Sequence, residues 1–490
     1  MSQSALVHRF AVDAIATQEP KRWRDDLLAH LAGGSRVLTF FGRNIGERVV
    51  LTAVLEATDG HVRVSRTSVS AQFGYHEMTS ECPALHCFER ELHEQTGVRI
   101  GAHPWLKPIR FEGKDQTAMA GYPFWILEGK EAHEVAVGPI HAGVIEPGSF
   151  RFMCHGEQVH HLEIQLGYQH RGVERRLLEG DPRRLTPLVE TIAGDTSVAH
   201  AWAHAAAIEA LAGHAGSRET DAARAVALEL ERVAMHLAGL SGLSADVGFL
   251  QGATTYGRIR TTAINTTMRL CGSRFGRGAI RPGGVRMHSS RALVDEVQAN
   301  VQRMKADLAI IHARFLSSFG VQHRLRDVGV VTSELARRLG LVGMAARASG
   351  VYVDARTRAS DGIFAALPLG GVVLEEGDCW ARARIRIAEI SASLDWICTA
   401  LALHPSWEER PSPVGALEAR QFVVAIVEGW RGEVVHCLET GLTGELVHYK
   451  VQDPSLRNWM GLALAVRGNE ISDFPICNKS FDLSYCGNDL

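Results

Sequence analysis

Nowhere in this chain do apolar residues run on for the ~18 positions that a bilayer span requires, so the chain itself is not expected to cross a membrane. A signal-peptide core is missing as well. The stretch from Met1 to Pro20 carries His8, Arg9, Asp13 and Glu19 where an apolar segment would stand. No charge of one sign dominates: 52 Lys plus Arg stand against 55 Asp plus Glu. That balance argues against nucleic acid or an anionic lipid surface as the partner. Cysteine is present but unpaired by spacing. Cys82, Cys87, Cys154, Cys271, Cys379, Cys398, Cys437, Cys477 and Cys486 are an odd, scattered set with no CxxC. They read as reduced thiols of a cytoplasmic protein, not as a disulfide framework. Also absent are a GxxxxGK phosphate loop, a GxGxxG turn after a strand, HExxH and GxSxG. Internal repeats are absent too.

What is there is the make-up of a large soluble chain: 490 residues, 46% of them hydrophobic, enough to bury a core without disulfides or metals. The first 115 or so residues alternate β-rich runs, Arg36–Phe41 and Arg48–Leu55, with a charged amphipathic stretch from Ala84 to Thr96. Gly113-Lys114-Asp115 begins a polar stretch that reads as a linker. A hairpin is predicted next, with Phe150–Cys154 and Val159–Leu166 alternating about a turn at His155-Gly156-Glu157. Beyond it the pattern is helical. Ala222, Val226, Leu230, Val233, Leu237 and Leu240 form one apolar stripe. Val294, Val297, Val301, Met304, Leu308, Ile311 and Phe315 form a second, and Trp380, Ala383, Ile387, Ile390, Leu394, Ile397 and Leu401 a third. Three such stripes need one another, which predicts a helix bundle. Ser333-Glu334 opens a further helix ending at Leu339-Gly340, and β-like runs return at Phe422–Val427 and Val434–Cys437. His155, His160, His161 and His170, with Glu157 and Glu163, are the densest group of metal-capable side chains; a solvated hairpin edge is the plainer reading.

Longer patterns carry a resemblance. Phe88-Glu89-Arg90-Glu91, then Gly97, then His103-Pro104-x-Leu106-Lys107-x-Ile109 is similar to the smaller peripheral-arm subunit of respiratory complex I. From Gly138 the chain resembles the large subunit of membrane-bound [NiFe]-hydrogenases and its complex I relative, the quinone-site subunit. The matching pieces are Gly138-Pro-Ile-His141, Glu146-Pro-Gly-Ser-Phe150, His170-Arg171-Gly172-x-Glu174, Leu228-Glu-Leu-Glu231-Arg232 with His236, and Asp246-Val-Gly248. Arg281-Pro-Gly-Gly-Val285, Ala346-Arg347-Ala-Ser-Gly350 through Asp354 and Arg356, Glu428-Gly-Trp-Arg431-Gly432-Glu433, and Asp453-Pro454-Ser455 with Asn458 continue the series in order. The fused arrangement resembles the formate hydrogenlyase large subunit. It implies an α/β N-terminal domain over residues 1–122 and a mainly α-helical, hydrogenase-large-subunit-like domain with small β elements over 123–490.

The departures are as informative. The hydrogenases hold nickel and iron with two cysteine pairs, and in register those positions are Ala193 and Thr196, then Ser484 and Gly487. The family's leading Arg becomes Thr191, and Cys486 lies one residue out of register. Without four thiolates no nickel–iron centre is expected. The quinone-pocket donors of complex I are not retained either: Ile145 or Glu146 stands where its His would fall, and no Tyr lies between Glu190 and His200.

By resemblance, Glu146, His170 and Asp482 are candidate proton-relay groups, with a loop carboxylate paired to Arg as the alternative for Glu146. Asp195, Thr196, Arg431, Ser484 and Tyr485 would line the emptied cleft, holding a small polar ligand, a quinone or water, or else forming a collapsed relic. Arg431 should be met by an anion, a quinone carbonyl or Asp482. His170, Arg171 and Glu174 are expected to pin a helix to the cleft wall by ionic contacts; Asp482 and Asp489 share proton traffic or bind backbone donors. Arg281-Pro-Gly-Gly-Val reads as a tight structural turn and His103-Pro104 as a docking turn.

The implied function is a non-nickel subunit of a membrane-attached, complex I-like or formate hydrogenlyase-like assembly. Its partners would be a small subunit bearing a [4Fe–4S] cluster, antiporter-like membrane subunits and, as one option, quinone. It would sit peripherally on the cytoplasmic face of the cell membrane. A purely structural docking subunit with a ligand-free site is the alternative; true hydrogenase activity ranks last.

Overall fold

The structure, a computed structural model, describes residues 6–112, 116–129, 131–141, 145–358 and 362–490. The predicted linker at Gly113-Lys114-Asp115 lies outside the described residues. Helices and sheets are mixed, as expected. Near the N-terminus a four-stranded sheet runs in the order Thr17–Gln18, Val62–Ser70, Arg48–Glu56, Arg36–Ile45. Its alternating Val and Phe residues point inward against Trp23 of the Pro20–Ala32 helix and against Phe88 and Leu92 of the His86–Thr96 helix.

A second four-stranded sheet joins the ends of the chain. Leu6–Ala11 pairs antiparallel with Gln421–Gly429, which continues through Gly432–Thr440 to Leu446–Gln452. The first residues of the N-terminal module thus form part of the C-terminal core. The predicted hairpin is present as Ser149–His155 and Gln158–Gln165, and Ala132–Val137 adds a third strand.

Around these sheets lies the helical bundle. The Arg218–Asp246 helix packs against Leu250–Cys271 and Cys379–Leu403, and Leu250–Cys271 in turn packs against Arg291–Ser317. The three predicted stripes are buried almost without exception, Ile387 being half-buried. Side-chain caps fix where these helices begin. Ser217 accepts from the Thr220 amide, Ser290 from Leu293, and Asp378 from Ala381. Asp453 accepts from Ser455 with Pro454 at the first helical position, which starts the Pro454–Ala465 helix.

The Arg281–Val285 turn is tight as predicted. A Cβ on Gly283 would stand 2.0 Å from the Ser412 carbonyl oxygen, so only glycine fits. Arg281 closes it by donating to Glu190 at 2.8 Å. No helix among the described residues is long and apolar enough to cross a membrane.

Candidate functional site

Two segments far apart in sequence meet in one place, where the resemblance puts a cleft. The first is the loop Ala193–Thr196 ahead of the Ser197–Leu211 helix; the second is the short C-terminal helix Tyr485–Asp489 with its cap Ser484. Arg171 ties them together, donating to the carbonyls of Thr191 at 2.7 Å and Cys486 at 3.2 Å. From the N-terminal module, Arg110 donates to the Asn488 carbonyl at 2.6 Å and also pairs with Glu91. The module therefore buttresses the cleft wall. Of the residues expected to line it, Asp195 and Thr196 belong to the first segment, Ser484 and Tyr485 to the second, and Arg431 is bonded to the first.

The partner of Arg431 differs from those expected. Asp195 grips its guanidinium with both oxygens, at 2.6 and 2.7 Å. Asp482 contributes only its backbone carbonyl, at 2.5 Å from Nε, while its carboxylate turns to Lys479 at 2.9 Å. Burial works against the Arg431 charge, but the Asp195 carboxylate outweighs it and raises the pKa. The guanidinium also stacks 3.9 Å from the Trp430 ring centre, and the Trp430 indole N–H holds the Asp195 carbonyl at 3.0 Å. Two adjacent residues thus fix one aspartate, an arrangement that the Glu-Gly-Trp-Arg spacing alone does not show.

Donor chemistry at the four positions that the resemblance sets against the cysteine ligands does not fit a nickel–iron centre. Ala193 is wholly buried and offers no ligand atom. Thr196 Oγ1 is engaged between Asp195 and Arg431, at 3.2 Å from each. Ser484 Oγ caps the last helix by accepting from the Gly487 amide at 2.9 Å. At Gly487 even a Cβ would stand 2.7 Å from the Asp453 carboxyl carbon. The nearby thiol, Cys486, is driven by burial and by the Glu146 charge to a pKa of about 12, so it is a protonated thiol and not a thiolate.

Glu146 is half-buried beside this thiol and accepts, at 3.4 Å, from the Tyr485 amide. No arginine pairs with it among the described residues. Tyr485 packs edge-on to Trp459 and Phe150, its phenol raised by burial to about 12. The remaining candidates are spread out. His170 meets the Asp489 carbonyl at 2.7 Å, while the Asp489 carboxylate accepts from the Gly167 and Gln169 amides, its backbone-binding option. The expected ionic pinning is only partly ionic: Arg171 uses carbonyls, and Glu174 meets Lys450 at 2.9 Å.

The histidine group is only partly held together: His155 lies 6.2 Å from His160, ring centre to ring centre, and His161 approaches Glu163 at 4.0 Å. His170 stands apart at the cleft; His155 pairs with the exposed Glu131, and His161 contacts Arg467. Glu163 is not part of a solvated edge. It is buried, accepting from Lys107 at 2.5 Å and the Trp125 amide at 2.8 Å. His103 turns inward to Thr79 at 3.1 Å, with no side-chain surface left for docking.

Two buried charged elements escaped sequence reasoning. One is Glu231, whose carboxylate accepts from the Val198 and Ala199 amides at the start of the Ser197–Leu211 helix. Burial raises its pKa to about 8, beneath Asp195. The other is a buried ion lattice. Arg347 bridges Glu389 at 2.6 Å and Glu428 at 3.0 Å, and Arg356 bridges Asp354 at 2.6 Å and Glu229 at 3.1 Å. Arg232 adds Glu229 at 3.1 Å and the Glu428 carbonyl at 2.6 Å. Most of these residues belong to the motifs quoted above, and charges three or four apart on an otherwise apolar helix were the available signal.

Comparison with known proteins agrees with the motifs. Residues 246–412 match the family described as the respiratory-chain NADH dehydrogenase 49 kDa subunit. The membrane-bound hydrogenase subunit alpha of Pyrococcus furiosus is 28% identical over 365 residues, covering 71% of this chain and 85% of its own. Formate hydrogenlyase subunit 5 of Escherichia coli is 28% identical over 439 residues, covering 85% and 77%. Among solved structures, a chain of an archaeal respiratory membrane complex, the membrane-bound sulfane sulfur reductase, superposes with a TM-score of 0.69 at 22% identity. That match covers 74% of this chain and 99% of the other, and shows the shared fold. The chain resembles hydrogenase and formate hydrogenlyase large subunits and complex I peripheral-arm subunits.

Proposed function

From that resemblance we propose that the chain is a subunit of a membrane-attached redox assembly that holds no nickel–iron centre of its own. It would form one wall of a cleft beside a small subunit carrying a [4Fe–4S] cluster. Residues 1–122 would act as the counterpart of the smaller complex I subunit and 123–490 as that of the hydrogenase large subunit. Antiporter-like membrane subunits would complete the assembly on the cytoplasmic side, and protonation in the cleft would couple electron transfer to ion movement.

One observation carries this reading. Where four thiolates would be needed, every polar side chain already has an intramolecular partner: Thr196 with Asp195 and Arg431, Ser484 with the Gly487 amide. The free chemistry left in the cleft is protonic: the Glu146 carboxylate, the Cys486 thiol and the buried Glu231 acid. The docking-subunit reading is favoured by one fact of its own, that Asp195 satisfies Arg431 and leaves it asking for no ligand.

Purification of the tagged chain from its own membranes tests both. An iron–sulfur protein should co-purify in equal amount, without stoichiometric nickel; nickel at one per chain would overturn the reading. Glu146→Gln and Arg431→Ala should each lower turnover of the purified assembly. If both leave it intact while the subunits still assemble, the docking role replaces the catalytic one.

A further inference from the structure

Beneath the cleft, five buried side chains form one unbroken line of hydrogen bonds. Asp453 Oδ2 meets His200 Nε2 at 3.1 Å, and His200 Nδ1 meets His436 Nε2 at 3.1 Å. His436 Nδ1 meets the Tyr449 hydroxyl at 2.9 Å, and that hydroxyl meets His204 Nδ1 at 2.8 Å. His204 Nε2 ends the line on the Pro182 carbonyl at 3.0 Å, in the surface turn with Arg183 and Arg184. All five are at most 2% exposed. His200 and His204 lie one turn apart on the Ser197–Leu211 helix, and His436 and Tyr449 come from neighbouring strands of the C-terminal sheet. Asp453 abuts Gly487 and lies close enough to Arg431 to feel its charge.

Both ends of this line accept only: a carbonyl at one and a carboxylate at the other. Five hydrogen bonds therefore need five hydrogens. Three neutral imidazoles bring one each and the phenol brings one, which makes four. The line is complete only with one surplus proton. With that proton at the cleft end, His200 is an imidazolium against the Asp453 carboxylate, His436 carries hydrogen on Nδ1, and Tyr449 donates to His204. Three hops move it outward. His200 Nδ1 gives its hydrogen to His436 Nε2, His436 Nδ1 gives its own to the Tyr449 oxygen, and Tyr449 passes its own to His204 Nδ1. His204 is then the imidazolium, its Nε2–H still on the Pro182 carbonyl, and every atom is accounted for.

We propose that these five residues are a proton relay, holding one surplus proton and shifting it between the cleft floor and the Pro182 turn. Its resting place is the cleft end. There the Asp453 carboxylate neutralises His200, whereas at the outer end no carboxylate among the described residues touches His204, and both burial and the Arg281 charge disfavour an imidazolium. Neutralising Asp453 from the cleft removes that preference and sends the proton outward. Its use in coupling rests on the reading of the cleft proposed above; the surplus proton itself does not.

Nuclear magnetic resonance of the full chain labelled with ¹⁵N at histidine tests it directly. His436 should be the Nδ1–H tautomer, His204 the Nε2–H tautomer and His200 doubly protonated at neutral pH, each assigned by a single His→Gln variant. Tyr449→Phe should abolish the doubly protonated signal and switch His436 to Nε2–H, since the surplus hydrogen then has no bond to complete. A neutral His200 in the unaltered chain, or one whose signals Tyr449→Phe leaves unmoved, overturns the relay. Should Tyr449→Phe fail to fold, the three tautomers of the unaltered chain decide alone. None of this depends on a partner, so a relay confirmed in a chain that recruits no iron–sulfur subunit would fault the assembly reading and not the relay.

Discussion

Two sets of charge lie side by side in this protein and obey different rules. In the lattice of Glu229, Arg232, Arg347, Asp354, Arg356, Glu389 and Glu428, no residue is more than 6% exposed, and each carboxylate is shared. In the cleft, Asp195 keeps 37% of its side-chain surface and Glu146 is half-buried. Arg386 joins the two, donating to the Ser480 carbonyl at 3.0 Å and approaching His236 at 3.3 Å and Asp482 at 3.8 Å. The lattice is architecture, because burying charge is tolerable only when it is paired. The cleft keeps groups that can still exchange protons with what lies outside.

The largest effect should come from the lattice. Arg347→Met removes the shared cation of Glu389 and Glu428 while keeping the volume, leaving Glu428 without its cation and Glu389 with Arg232 and His236 alone. Denaturant titration should show a loss of about 3–5 kcal/mol, the usual cost of breaking a buried pair from one side. Arg431→Met should cost clearly less, about 1–2 kcal/mol, because water can solvate the half-open Asp195 once its partner is gone. Equal losses at the two sites would erase the distinction drawn here.

How much of this was legible in the sequence follows the same division. The apolar stripes and alternating runs specified helices and strands, since periodicity depends only on near neighbours along the chain. Ordered motifs gave a register, and it is that register that puts Ala193, Thr196, Ser484 and Gly487 at the ligand positions of the resemblance. Partners were not legible. An anion, a quinone carbonyl or Asp482 is expected to meet Arg431, yet Asp195 is its bidentate partner, 236 positions away. His200, His436 and Tyr449 carried no shared spacing, as their meeting is made by a helix crossing two strands. Glu163 looked like a solvated edge because a strand pattern shows which face a residue is on and not what covers that face.

Glu231 offers a sharper comparison, since it is as buried as the lattice but has no cation in contact among the described residues. Its folded pKa of about 8 lies above its ordinary 4.5, so the folded state binds the proton more tightly. Its contribution is complete below about pH 4.5 and is lost as pH rises through about 8. Melting temperatures measured from pH 5 to pH 9 should therefore fall less steeply in Glu231→Gln than in the unaltered chain. Lattice acids such as Glu229, whose pKa is lowered by Arg232 and Arg356 despite burial, act in another window: their contribution is complete above about pH 4.5 and is lost only as pH falls below it. Parallel profiles for the Glu231 variant and the unaltered chain would mean that Glu231 is already ionised.

The smallest expected effect distinguishes the two causes acting on Cys486. Burial comes first and the Glu146 charge second in raising its thiol to about 12. Glu146→Gln removes the second cause and leaves the first, so the thiolate fraction should rise by less than about tenfold, one pKa unit. Iodoacetamide labelling at pH 8, read by mass spectrometry of the C-terminal peptide, should quicken by that modest factor. The wholly buried Cys437, which has no tie to Glu146, serves as the internal control and should stay unlabelled in both. An unchanged Cys486 rate would place Glu146 outside the electrostatic reach of the thiol. A jump of a hundredfold would mean instead that the substitution had opened the cleft to solvent, which the control thiol and the Arg171 contacts to the Thr191 and Cys486 carbonyls argue against.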